Sequence, residues 1–338
     1  MKVIILLAGY GTRMRPHTWS RPKALMKLAG NTTIGHLLDE MMPILTEEVI
    51  FVVGYRGDQI REWIDANYPQ LDTHYVVQEV AKGQAHAVGM CREFLEKDGE
   101  VVVAFGDGVI RGPYGDYHKV AGDDADAVLT YFHVEDPRPF GVVVENDEGF
   151  VTHFVEKPES MDNKKAAVGI NWFRSSKQLM EAIDRIQREG RMTKGEYFMA
   201  DAYNVMLEEG RKFRTMPVEF WLDAGKPAHT LDSNQQLLGY GVGVTQSALE
   251  RSYSEGFTVI PPVYIHDSAE IDASVIGPFA HIDAGAKISN SVICNSIIDP
   301  NATVTDAVLD NALVGEDAHV TGKAMKLFVG DKSIVDLS

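Results

Sequence analysis

At 338 residues the chain has room for two domains, and its 45% hydrophobic and 24% charged content matches an ordinary globular protein rather than a disordered or fibrous one. A formal net charge of −17 argues against nucleic acid or an anionic membrane surface as a partner, since both would repel it. No apolar run approaches the roughly 18 residues of a membrane span and no signal-peptide pattern opens the chain; with only Cys91 and Cys294, far apart and outside any zinc spacing, a reducing cytoplasm is expected.

The chain opens on Lys2–Leu7, a short apolar segment that reads as a buried strand. Residues 7–23 then run LAGYGTRMRPHTWSRPK. Gly9 and Gly11 follow the strand directly, where glycine can take positive φ and lets backbone N–H groups come close to a phosphate. Arg13, Arg15, Arg21 and Lys23 then place four cations on one short stretch, which suits a polyanionic nucleotide. Two commoner nucleotide motifs do not fit. Met14 stands where the dinucleotide fingerprint needs a third glycine or alanine, and the strand expected at 49–53 runs into Gly54, Tyr55 and Arg56 with no acidic ribose ligand. The Walker P-loop pattern is absent.

Strand-like and helix-like segments alternate from here on. A helix is predicted at 33–45 with Leu37, Leu38, Met41 and Met42 on one side, a strand at 49–53, a helix at 58–67, a strand at 73–78, a helix at 84–96 and a strand leading into Asp107. Such alternation predicts a mostly parallel sheet with helices on both faces, a doubly wound Rossmann-like α/β domain over 1–240. Ligands gather at the carboxyl ends of strands in that architecture, where Gly9, Gln78 and Asp107 would sit. Gly141 opens a strand that turns at 146–149 and returns to end in Glu156, Lys157 and Pro158. Asp223 closes a second apolar run, followed by Ala224 and Gly225. A carboxylate at a strand end can equally cap the next turn.

Residues 237–246 read LLGYGVGVTQ, and glycines at alternate positions predict a linker over 241–258. After it an aliphatic residue recurs every five or six positions: Val259, Ile265, Ile271, Ile276, Ile282, Ile288, Ile293, Ile298, Val304, Leu309, Val314 and Val320. This is the hexapeptide period of a left-handed parallel β-helix, spanning 259–330, with one aliphatic per face turned inward and about four coils. Its open ends and flat faces predict a homo-oligomer, with the tail serving assembly rather than chemistry. His281 and His319 stand at matching turns and read as corner residues in water rather than as acyl-transfer bases.

The string G-x-G-T-R-(x)9-K over 9–23, with Pro22 fixing the chain before Lys23, resembles the signature of the sugar-1-phosphate nucleotidylyltransferases, in the A-G-x-G-T-R variant seen in uridylyltransferases. The resemblance extends to 78–86, 105–109, 140–158, 195–201 and the β-helix. It implies a Mg2+-dependent enzyme in which a sugar phosphate oxygen attacks the α-phosphorus of a nucleoside triphosphate. By that resemblance Ala8, Gly9, Gly11, Gln78 and Gly83 face the nucleotide, and Arg13 and Lys23 bind the triphosphate and stabilise the transition state. Asp107 and Asp223 become paired ligands of one magnesium, while Gly141, Glu156, Lys157 and Gly169 receive the sugar phosphate. Glu196 and Asp201 resemble the family's helix start over the sugar pocket.

Gln78 offers a donor and an acceptor, which suits a pyrimidine edge, so dTTP or UTP with glucose 1-phosphate is the expected pair. Mannose 1-phosphate with GTP is the alternative. A catalytically silent regulatory homologue is the rival outside catalysis, opposed by the retention of Arg13, Lys23, Asp107, Lys157 and Asp223. Gly108 follows Asp107 where typical thymidylyltransferases carry Asn, which leaves the nucleotide and sugar preference open.

Overall fold

The computed structural model describes residues 1–193, 195–322 and 328–336. Two compact units form. Met1–Gly9 and Leu37–Trp221 make the first, and Tyr10–His36 and Leu222–Ser338 the second. These units do not follow the chain boundaries expected at 240 and 258, because the segment bearing Gly11, Arg13 and Lys23 belongs with the C-terminal unit.

The first unit is built on a ten-stranded sheet. Lys2–Leu7 lies parallel to both Glu48–Val53 and Val101–Phe105, and Asp72–Val77 extends the parallel part beyond Glu48–Val53. Buried Val, Ile and Phe residues on both faces explain why these central strands read as continuous apolar runs. The sheet then changes character. Ile170–Phe173 pairs antiparallel to Val101–Phe105, and Ala127–His133, Lys165–Ala167, Gly141–Glu145 and Val151–Glu156 continue with antiparallel contacts. The expectation of a mostly parallel sheet therefore holds for its first four strands, and one further parallel pair forms where Phe213–Pro217 runs along Ala127–His133. Beyond them short turns such as 146–149 join neighbours, and a parallel pair needs a crossover of a dozen residues or more. Ile183 and Ile186 of helix Ser176–Glu189 and Val205 and Met206 of helix Met199–Glu208 close the core beneath Ile4, Val103 and Phe173. The helix expected at 84–96 is split into Gln84–Gly89 and a 3-10 turn Arg92–Leu95, and Gly89, a weak helix former, stands at the break.

The second unit is the left-handed β-helix with the segments that pack on it. Three parallel sheets stack Val259, Ile276, Ile293 and Leu309 in one column, Ile265, Ile282, Ile298 and Val314 in the next, and Ile271, Ile288, Val304 and Val320 in the third. All twelve expected aliphatics thus share one core, which Val329 and Val335 extend into part of a fifth coil. Asn290, Asn295, Asn301, Asp306, Asn311 and Asp317 turn the corners at positive φ, a conformation that Asn and Asp tolerate best among side-chain-bearing residues. Asn295 Nδ2 donates to Asn311 Oδ1 at 2.6 Å, so one corner braces the next.

The stretch expected as a linker is structured. It contains helix Ser247–Glu255, and Ala248 and Phe257 join the β-helix core, covering aliphatic surface that the first coil would otherwise present to water. Gly243, at φ 71°, sits where a Cβ would fall 1.8 Å from the Ala29 carbonyl oxygen. The 10–36 segment rests on the same scaffold: Ala29 N–H donates to Asn234 Oδ1 at 2.8 Å, and Asn234 Nδ2 donates to the Phe279 carbonyl at 3.0 Å. Among the described residues no helix is long and apolar enough to cross a membrane.

Candidate active site

In the first unit a cavity of about 390 Å³ opens beside the sheet. Asp107, Gly141, Lys157 and Gly169, all expected at the site, line it together with Phe154 and Trp221. Asp107 occupies the exposed turn between Val101–Phe105 and Gly108–Arg111, at the carboxyl end of a parallel strand. Lys157 follows Val151–Glu156 in left-handed backbone, φ 50°, with its N–H donating to the Phe140 carbonyl at 2.9 Å. Glu156 pairs with Gly141 through the backbone, and its side chain lies outside the described residues.

Gly169 is a glycine for a packing reason. A Cβ there would fall 2.4 Å from the Phe105 ring, and Phe105 N–H donates to its carbonyl at 2.7 Å. Asp201 lines the cavity and accepts from Thr193 Oγ1 at 3.2 Å, whereas Glu196 forms a backbone bridge to Thr193. Sequence reasoning missed Asn171, Thr193 and Trp221. A polar residue inside the apolar strand Ile170–Phe173 was the available signal for Asn171, whose Oδ1 accepts from Thr130 N–H and whose Nδ2 donates to the Tyr203 hydroxyl.

The expected base-recognition segment is held shut by its own bonds. Gln78 is buried, and its Nε2 donates to the Gly83 carbonyl at 3.3 Å and lies 3.0 Å from His86 Nδ1. Burial, helped by the charge of Lys82, lowers the His86 pKa and favours a neutral ring that can accept that proton. Gly83, at φ 100°, packs so closely that a Cβ would meet the Tyr197 carbonyl oxygen at 2.4 Å. Tyr197 N–H donates to the Lys82 carbonyl and Ala85 N–H to the Tyr197 carbonyl, so two loops are stitched together at this glycine. Ala8 and Gly9 follow the first strand. Nothing lies within 4 Å of where a Gly9 Cβ would stand, which leaves that backbone open to a ligand.

The second unit carries the other expected residues. Gly11, at φ 62°, lets the turn Thr12–Met14 fold back until a Cβ would approach Lys23 Cβ at 3.1 Å. Met14 is buried while Arg13 and Arg15 point to solvent. The four cations are not one cluster: Arg21 is turned to the β-helix, where Asp299, Glu316 and Asp331 receive it. A Cβ on Gly225 would lie 3.2 Å from Arg13 Nη2 and 2.7 Å from Asp223 Oδ1, which places Arg13 beside Asp223. Asp223 Oδ1 accepts from Gly225 N–H at 2.7 Å, and Oδ2 accepts from His229 Nδ1 at 2.5 Å. His229 is a neighbour the sequence reading did not name.

Asp107 and Asp223 belong to different units. Each is accessible at least in part, and a carboxylate holding two hydrogen bonds, as Asp223 does, keeps lone pairs to give. Oxygen donors of this kind fit Mg2+, which takes one or two carboxylates and fills its shell with water and phosphate. Among the described residues no three His, Cys, Asp or Glu side chains converge to hold a metal by themselves.

The nucleotidyl transferase family pattern matches residues 2–239. Over 241 residues the chain is 29% identical to UTP–glucose-1-phosphate uridylyltransferase AglF of Haloferax volcanii, covering 70% of this chain and 96% of that protein. It is 30% identical over 299 residues to a glucose-1-phosphate thymidylyltransferase of Streptomyces griseus, covering 87% and 81%. A Bacillus anthracis protein described as a glucose-1-phosphate thymidylyltransferase, solved with sucrose, shares the fold with a TM-score of 0.60 at 24% identity, over 70% of this chain and 94% of that one. With a pattern match running through the glycine turn, both candidate carboxylates and the cavity walls, the chain belongs to the nucleotidyl transferase family.

Proposed function

We propose that the protein transfers a nucleotidyl group from dTTP or UTP to a sugar 1-phosphate, with glucose 1-phosphate as the leading acceptor, giving a nucleoside diphosphate sugar and pyrophosphate. The observation that carries this reading is the cavity: aromatic walls from Phe154 and Trp221, hydrogen-bonding groups from Asn171 and Asp201, and the Lys157 cation beside them. Flat apolar rings suit the C–H faces of a sugar, the polar groups suit its hydroxyls, and the ammonium suits its phosphate. The related uridylyltransferase and thymidylyltransferase support both glucose 1-phosphate and a pyrimidine nucleotide.

In this reading a phosphate oxygen of the acceptor bonds to the α-phosphorus while the bond from that phosphorus to the pyrophosphate oxygen breaks. No covalent enzyme intermediate is needed. Two polyanions carrying roughly six charges must meet, so positioning and charge neutralisation supply most of the catalysis. Lys157 holds the acceptor phosphate. Arg13 and Lys23 hold the triphosphate and offset charge building on the leaving group, with the open backbone at Gly9 and the left-handed turn at Gly11 serving its oxygens. Asp107 and Asp223 would hold Mg2+, which when bound would supply Lewis-acid neutralisation of phosphate charge. The β-helix adds assembly into a homo-oligomer, and the free thiols of Cys91 and Cys294 agree with a cytoplasmic setting.

The test is pyrophosphate release over a grid of five nucleoside triphosphates and several sugar 1-phosphates with Mg2+. Release with a pyrimidine nucleotide and glucose 1-phosphate supports the reading. Preference for GTP with mannose 1-phosphate replaces the substrates but keeps the reaction, and no release with any pair removes it.

A further inference from the structure

The signature segment and the β-helix share one compact unit, and the contacts between them are unusually polar for a buried place. Arg21 is only 11% exposed, and its Nη2 lies 3.2 Å from Asp299, 3.2 Å from Glu316 and 3.5 Å from Asp331. Asp299 is 1% exposed and Asp331 is 9% exposed. One guanidinium therefore faces three carboxylates, Asp299 cut off from water and Asp331 mostly so, and a buried charge is tolerated only when it is paired. Such a cluster fixes geometry strongly even where it adds little net stability.

Its place in the chain gives this a consequence. Pro22 separates Arg21 from Lys23, and proline locks its own φ and restricts the residue before it. Wherever the β-helix holds Arg21, Lys23 is delivered two residues on. The anchor is reinforced on both sides: Gly330 lies so close to Pro16 that a Cβ would fall 2.8 Å away, and Gly30 N–H donates to His281 Nδ1 at 3.1 Å. Arg21 is thus one of the four signature cations and yet is spent on the tail.

Resting on the nucleotidyl transfer reading, we propose that Arg21 is a positioning residue: it ties the signature loop to Asp299, Glu316 and Asp331 of the β-helix, so that the tail sets where the triphosphate cations stand. The β-helix then takes part in catalysis by holding Lys23 and Arg13 in place, beyond any role in assembly.

The experiment compares wild type, Arg21→Gln, Arg21→Lys and a control, Lys287→Gln, which breaks an exposed pair with Glu270 elsewhere on the β-helix. Steady-state kinetics and hydrogen–deuterium exchange over residues 10–30 are read on the full chain. Arg21→Gln should lower kcat/KM for the nucleoside triphosphate about 30-fold, leave KM for the sugar phosphate unchanged, and speed exchange across 10–30 but not across 141–169. Arg21→Lys should fall between, since it keeps the charge but loses the fork. Lys287→Gln should match wild type. If Arg21→Gln does not fold, Glu316→Gln should produce a smaller change of the same kind, because that carboxylate is half-exposed. Unchanged exchange over 10–30 overturns the tether, and faster exchange with unchanged nucleotide kinetics overturns its role in positioning. Wild-type protein that turns over no substrate pair would strike the nucleotidyl transfer reading instead, and exchange alone would then decide the tether.

Discussion

His229 Nδ1 lies 2.5 Å from Asp223 Oδ2, while Gly225 N–H holds the other carboxylate oxygen at 2.7 Å. Asp223 ends strand Phe220–Asp223 and His229 stands in the first turn of helix Pro227–Gly239, so strand, turn and helix together fix one carboxylate rotamer. A group already aimed when the ligand arrives has no reorganisation to undergo at the moment of reaction.

That arrangement separates two variants. Asp223→Asn should lower kcat by about a hundredfold or more, on the order of 3 kcal/mol, with the fold intact. His229→Ala should cost only about tenfold, because Gly225 still holds Oδ1. Initial rates alongside thermal unfolding check both. Full activity in Asp223→Asn would remove the carboxylate from the chemistry.

Lys157→Ala should raise KM for the sugar phosphate about tenfold or more while leaving KM for the nucleotide near its wild-type value, since its cation lines the cavity and acts on the ground state as well as the transition state. Arg13→Ala should instead lower kcat. Equal effects of Lys157→Ala on both substrates would contradict the assignment of the cavity to the sugar.

Gly83→Ala should destabilise the protein by about 2–4 kcal/mol, because a Cβ would meet Tyr197 backbone at 2.4 Å and φ is 100°. Gly9→Ala, with open space around it, should change stability by about 0.5 kcal/mol or less. Urea unfolding compares the two. A mild Gly83→Ala would show that the 78–86 and 195–198 loops can part without cost.

Two buried groups near the Arg21 anchor give opposite pH dependences. Burial, with Arg21 adding to it, drives the His17 imidazole down to about 4 from 6.5, so the unfolded chain binds more protons between those values and stability is lost as pH falls. Burial raises Asp299 to about 6 from 3.8 against the pull of Arg21, so the folded chain binds more protons there and stability is lost as pH rises. His17→Leu should therefore gain on wild type by about 2 kcal/mol as pH drops from about 7 to 5. Asp299→Asn should gain in the opposite direction. Denaturant unfolding at both pH values reads each difference, and a His17→Leu gap that ignores pH would mean the imidazole is not buried as the neutral form.

The β-helix was legible because its physics is one-dimensional: each coil must bury one aliphatic per face, and Val259 through Val320 show that rule without interruption. In the first unit the placement of strand ends was legible, with Gly9 and Asp107 following Lys2–Leu7 and Val101–Phe105 as expected. Gly83 and Gly169 also carry a packing demand that the sequence did not state, since a glycine required by Tyr197 or Phe105 looks the same in sequence as one required by a ligand. Arg21 was read as a nucleotide-facing cation, and its pairing with the β-helix was not legible. Its partners Asp299, Glu316 and Asp331 stand far along the chain, and only the fold brings three carboxylates to one guanidinium. The antiparallel half of the sheet was missed because strand alternation alone does not state whether a connection crosses over or turns back.

The central claim is transfer of the nucleotidyl group, and the fate of each phosphate tests it most directly. The protein should be supplied with UTP or dTTP labelled at either the α or the γ phosphorus, together with glucose 1-phosphate and Mg2+, and the products separated. The account predicts α-label in a nucleoside diphosphate sugar and γ-label in pyrophosphate, with neither product formed when the sugar phosphate is left out. Label from the γ position appearing on the sugar, or as inorganic phosphate, would contradict it.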